Sequence, residues 1–125
     1  MSRAMQSWWM LMTGDATQLE RREVPAPEPG PGQVLVRVRA ASLNRGEFVV
    51  GHGLHGKAGT WKAIGGEAAG DVLAVGAGVR HLGVGDRAMG RCAGGFSEFA
   101  LIDAAEAMRV PAALSWEEAA SIPLV

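Results

Sequence analysis

This chain of 125 residues contains no tyrosine, a single cysteine and no apolar run long enough to cross a bilayer. Without tyrosine, no tyrosine-assisted proton step is open to it. With Cys92 alone it can form no internal disulfide and no cysteine-built zinc knuckle, a usage that fits a reducing, cytoplasmic compartment. An excess of one charge is also missing: 12 Lys plus Arg face 13 Asp plus Glu, and a net charge of -1 offers no broad attraction for nucleic acid or an anionic membrane. The opening MSRAMQSWWMLM is apolar but too short to span, and it carries neither a basic leader nor a small-residue cleavage site. A complete dinucleotide fingerprint is lacking as well. Gly76-Ala77-Gly78 is followed by Val79, Arg80 and His81, so the third glycine is absent and the piece reads as a strand-end turn.

What is present is one domain's worth of chain with the punctuation of a β protein. Trp8 to Met12 reads as a strand packing into a core or cleft wall, Thr13 to Ala16 as a turn, and Leu19 to Val24 as a second extended piece. The proline-glycine stretch PAPEPGPG, residues 25–32, can sit in neither a helix nor a central strand. Val34, Val36, Val38 and Ala40 then alternate with Leu35, Arg37, Arg39 and Ala41, the period of a strand with one buried face. Asn44 to Lys62 loses that period and reads as a helical turn followed by a glycine-rich loop. Four short strands follow, at Ala68–Val75, Arg87–Gly90, Phe96–Ile102 and Ala107–Val110, in the spacing of a small barrel or sandwich. At the tail, Ser115 stands three residues before Glu118, the capping-box spacing that starts a helix. That helix runs toward Pro123, and the apolar end at Val125 reads as an interrupted sequence.

Five segments taken in order carry a family likeness: VPAPEPGPGQVLVRVRAASLN, GGEAAGDVLAVGAGV, GDR, GGFSEFALI and LSWEEAASIPL. Together they resemble the amino-terminal GroES-like domain of the medium-chain dehydrogenase/reductase superfamily, with the zinc-independent quinone oxidoreductase branch as the nearest match. The resemblance implies a mainly β fold, a partly open GroES-like barrel with short helices and a C-terminal helix leading toward a missing Rossmann domain. It divides the chain into a substrate-side barrel over residues 1–114 and the start of a linker helix over 115–125. It also implies a nicotinamide cofactor, NADPH, held mainly by the Rossmann half and not expected to bind this chain alone. The implied partners are a small quinone or enone and either the missing Rossmann domain or a homo-oligomer mate, with no nucleic acid and no membrane.

Zinc-dependent alcohol dehydrogenases of this superfamily place a cysteine, a basic residue, a hydroxyl residue and an aspartate after the long strand. The matching positions here read Asn44, Arg45, Gly46 and Glu47, and Gly66 stands where a histidine ligand would be. A neutral amide is a poor zinc donor and glycine is none, so the resemblance implies no zinc. By the same resemblance Asn44 is the catalytic candidate, bonding the nicotinamide ribose or the substrate carbonyl, and Arg45 approaches the cofactor pyrophosphate. The bland alternatives are a loop cap for Asn44 and a solvated charge for Arg45. Phe48, Val49, His52 and Glu67 are the candidate substrate pocket; core packing remains open for Phe48 and Val49, a surface or lid role for His52 and His55, and a structural role for Glu67. His81 is given no work. A reading from another class also stands: a stand-alone interaction barrel derived from a dehydrogenase.

Overall fold

The computed structural model describes residues 3–13, 16–48 and 59–124, and of Phe48 only the backbone. Two antiparallel sheets make up the fold, and they do not close into a barrel. Strands β1 (Ala4–Thr13) and β2 (Ala16–Pro25) form a hairpin in unbroken register from Ala4↔Pro25 to Thr13↔Ala16. Residues 14 and 15 between the two strands lie outside the described residues. β2 is exposed along most of its length, whereas β1 buries Ser7 and Met10.

The second sheet holds the core. Its inner strand β3 (Gln33–Ala41) follows the sequence period: Val34 and Val36 are fully buried, and burying each stabilises the fold by about 1.5–3 kcal/mol. The other edge of β1 carries a two-residue strand β4 (Lys62–Ala63), paired as Trp9↔Ala63 and Met10↔Lys62, which the sequence reading missed. β5 (Glu67–Val75), β6 (Arg87–Arg91), β7 (Phe99–Asp103) and β8 (Met108–Arg109) complete the second sheet in the order β7-β3-β5-β6-β8. Val72, Leu82, Ala88, Ala100 and Ile102 pack with the two valines.

The strand expected from Phe96 begins only at Phe99, because residues 96–98 serve the other sheet. Trp8 N donates to Phe96 O at 2.9 Å, Glu98 N donates to Gln6 O at 3.1 Å, and the Ser7 and Ser97 hydroxyls meet at 2.6 Å. These bonds close β1 against the core sheet. Trp8 itself is 43 % exposed, so of the two places the sequence offered it, core or cleft wall, it takes the second, lining a shallow cleft with Gln6, Val38 and Phe96. His81, expected to be idle, bonds the Ala107 carbonyl through Nε2 at 3.1 Å.

Helix α1 (Trp116–Ala120) starts where the sequence placed it. Glu118 N donates to Ser115 Oγ at 3.1 Å and Ser115 N donates to Glu118 Oε1 at 2.9 Å, so the capping box is complete. Ala119 and Ala120 bury against Ala69, Met89 and Val110, and Ser42 Oγ donates to the Ala120 carbonyl at 2.9 Å. The helix and the segment after it are thereby held over the ends of β3 and β5, where the candidate site lies.

Candidate functional site

The site begins where β3 runs out. Asn44 leads into a single 3-10 turn, Arg45–Phe48, in which Glu47 points a carboxylate back at the turn's start. Asn44 N donates to Glu47 Oε2 at 3.0 Å, which repeats at this turn one of the two bonds of the capping box at α1. The other Glu47 oxygen accepts from Gly65 N at 2.8 Å. Gly65 has φ 110, and a Cβ there would lie 2.6 Å from Gly95 N, so only glycine lets these two backbones come together. Glu47 thus staples the 3-10 turn to the segment entering β5.

Glu67, the first residue of β5, supplies the second carboxylate. Asn44 Nδ2 donates to its Oε2 at 2.6 Å, and Leu124 N donates to its Oε1 at 3.2 Å. Both glutamates are buried, at 3 % and 1 % exposed, and neither is in an ion pair among the described residues. Each of their four oxygens instead accepts from an N–H group, which is how a buried carboxylate avoids the cost of lost solvation. Burial lowers the Lys62 ammonium from its ordinary value, and the charge of Glu47 pulls it partly back. Cys92 lies close enough to feel both carboxylates: burial first, then Glu47 and Glu67, pushes its thiol up to about 12. A thiol held protonated is a poor nucleophile.

Of the residues singled out from sequence, the structure brings Asn44 and Glu67 into direct contact across 23 positions of chain. Arg45 is exposed on the 3-10 turn next to them. Val49, His52 and His55 fall outside the described residues, as does the side chain of Phe48. Glu47 was named only as a position in the family pattern, and its role as the staple was missed. The signal for it was available, since Asn44-x-x-Glu47 has the same spacing as Ser115-x-x-Glu118. Gly66 and Cys92 line a cavity of about 590 Å³ that opens between the two sheets, walled also by Met5, Trp9, Val24 and Phe99. Among the described residues no helix is long and apolar enough to cross a membrane.

Two antiparallel sheets, a capped terminal helix and an asparagine-bearing turn at the end of the long strand define a GroES-like β domain. The chain belongs to the alcohol dehydrogenase GroES-like domain family, whose model matches residues 30–112. It is similar to the quinone oxidoreductase of Pseudomonas aeruginosa, 36 % identical over 114 residues, a match covering 89 % of this chain and 35 % of the relative. It is also 42 % identical over 93 residues to the polyketide synthase GfsB of Streptomyces halstedii, covering 74 % of this chain and 2 % of that protein. Among solved structures it superposes on the mycobacterial protein Rv1454c complexed with NADPH with a TM-score of 0.81 at 29 % identity, covering 96 % of this chain and 36 % of that one. The chain therefore spans about a third or less of the length of these proteins. Its fold is that of the GroES-like domain of the medium-chain dehydrogenase/reductase superfamily, and the solved structures it resembles include quinone oxidoreductases.

Proposed function

We propose that this domain forms the substrate side of an NADPH-dependent quinone or enone reductase that works without zinc. The observation that carries the reading is the Asn44–Glu67 contact: the position matching a metal ligand holds a carboxamide, fixed by a buried carboxylate whose other oxygen is also taken. A tetrahedral zinc ion needs thiolate, imidazole or free carboxylate donors. Gly66 offers no side chain, Asn44 a neutral carboxamide, and each oxygen of Glu47 and Glu67 already accepts from an N–H group. These side chains do not fit the metal, and no step of the proposed reaction passes through one.

When bound, the nicotinamide supplies a hydride to the electron-poor carbon of a conjugated carbonyl, and solvent supplies the proton. The chain's own part is positioning, which suits a reaction that needs alignment more than a strong acid. Asn44 presents a fixed polar group at the mouth of the site, bonding the ribose or the substrate. In this reading Arg45, one residue on and exposed, meets the anionic pyrophosphate. Glu47 keeps the turn that carries both residues from shifting.

Alone, the chain is expected to show neither turnover nor NADPH binding at micromolar concentration, since the nucleotide would be held mainly by the part of the relatives beyond the match. The test replaces the matching segment of the Pseudomonas aeruginosa quinone oxidoreductase with residues 1–124 of this chain. The chimera should oxidise NADPH with a naphthoquinone, unaffected by a zinc chelator, and Asn44→Ala should lower kcat/KM at least about tenfold. Dependence on added zinc, or an alanine variant as fast as the parent chimera, would falsify the reading.

A further inference from the structure

We propose that Glu67 is a positioning residue: its carboxylate fixes which way round the Asn44 carboxamide is held, and ties that setting to the backbone at Leu124. An ionised carboxylate can only accept hydrogen bonds. The two groups that reach Glu67, Asn44 Nδ2 at 2.6 Å and Leu124 N at 3.2 Å, are both donors, so the nitrogen of the carboxamide must be the atom turned inward. The backbone of Asn44 is pinned separately through its N–H to Glu47 Oε2 at 3.0 Å. With main chain and side chain both held, the second Nδ2 hydrogen and Oδ1 of Asn44 are left over, and Oδ1 has no partner among the described residues.

A ligand atom seated on Oδ1 must carry a hydrogen, because a carbonyl oxygen donates nothing. Resting on the function proposed above, that group is a ribose hydroxyl or an amide N–H of the nicotinamide nucleotide. The link to Leu124 adds a second property. Leu124 lies four residues past the end of α1, and a pull on it acts on the same carboxylate that orients Asn44. A change in the course of the chain at Leu124 therefore reaches the ligand-facing oxygen through one side chain.

The geometry gives each variant a distinct fate. Glu67→Gln has one acceptor and one donor end facing two donors, so it loses the Leu124 bond or forces Asn44 to turn over. Asn44→Asp sets two carboxylates against each other. The pair Asn44→Asp with Glu67→Gln satisfies every group again: the amino end of the introduced glutamine donates to the introduced aspartate, its oxygen accepts from Leu124 N, and an acceptor oxygen still faces outward.

The experiment follows side-chain and backbone amide exchange by NMR in the nitrogen-15-labelled chain with no nucleotide present, so its outcome is independent of the turnover test above. In the parent chain the Asn44 side-chain N–H and the Leu124 N–H should each exchange at least about tenfold slower than a free amide, as bonds to a charged acceptor do. Glu67→Gln should lose protection at one or both sites, Asn44→Asp should lose it at Leu124, and the double variant should return Leu124 to within about threefold of the parent. Free-amide exchange at Asn44 in the parent, protection unchanged in Glu67→Gln, or a double variant no more protected than the single ones overturns the proposal. If Glu67→Gln does not fold, the double variant decides: a folded chain with Leu124 protected supports it, and an unfolded one refutes it.

Discussion

Glu47→Gln is the sharpest probe of how the site is built, since it keeps the outline of the side chain and removes only charge and one acceptor. Glu47 is 3 % exposed and accepts from Gly65 N at 2.8 Å and Asn44 N at 3.0 Å. Glutamine offers one oxygen to those two donors, so its amino end meets an N–H group that it cannot satisfy. Stranding that donor costs about 1–3 kcal/mol, and the surviving bond, no longer made to a charge, weakens by about 1 kcal/mol. Relief from keeping an anion out of water offsets roughly a third of this, leaving about 2 kcal/mol. For a chain of this length that is a fall in Tm of about 6–10 °C. Urea unfolding at pH 7, followed by tryptophan fluorescence, measures it directly. Glu47→Ala, which strands both N–H groups, should fall further. A glutamine variant within about 0.5 kcal/mol of the parent would show that the carboxylate does not staple the turn to Gly65, and the account of the site would fail at its base.

Two further perturbations test the frame around it. Gly70→Ala should unfold the chain or lower its Tm by more than 10 °C, roughly the effect of over 2 kcal/mol; a Cβ there would sit 2.7 Å from the Arg37 carbonyl carbon, at the bulge where β3 shifts register on β5, and a parent-like melting curve would contradict that packing. Cys92 should resist a thiol reagent at pH 8 and react once urea is added, because burial pushes it up to about 12 from 9.0. The sign follows from proton binding: between about 9 and about 12 the folded chain keeps a proton that the unfolded chain releases, so stability falls as pH rises through that window. A Cys92→Ala variant should lose that part of the decline, seen as a smaller drop in urea midpoint from pH 8 to pH 10.

How far the sequence alone carries can be read from two matching spacings. Ser115-x-x-Glu118 precedes an alanine run and predicts a capped helix, which forms. Asn44-x-x-Glu47 has the same spacing and closes the same kind of bond, yet the glycine between and the loss of period after it hide a turn of only four residues. The β3 alternation was legible because local burial enforces it. β4 was not, since Lys62 and Ala63 carry no strand signal of their own and pair only because Trp9 and Met10 present a free edge. The family pattern pointed to Asn44 and Glu67 one at a time. Their contact, and the arrival of Leu124 at the same carboxylate, depend on three segments meeting in space, which no local pattern encodes.

The bonds between β1 and residues 96–98 set a schedule for the chain as it is made. The hairpin of β1 and β2 can close within its first 25 residues, but Ser7 waits for Ser97, 90 positions later. At ribosomal speeds of about 5–20 residues per second, that wait lasts roughly 5–20 s. During it the second edge of β1, carrying Trp8 and Trp9, has no partner, and for most of that interval β4 is absent too. Loop closure over such separations is slow even in the finished chain. The edge of β1 that faces residues 96–98 is thus among the last parts of the fold to be sealed.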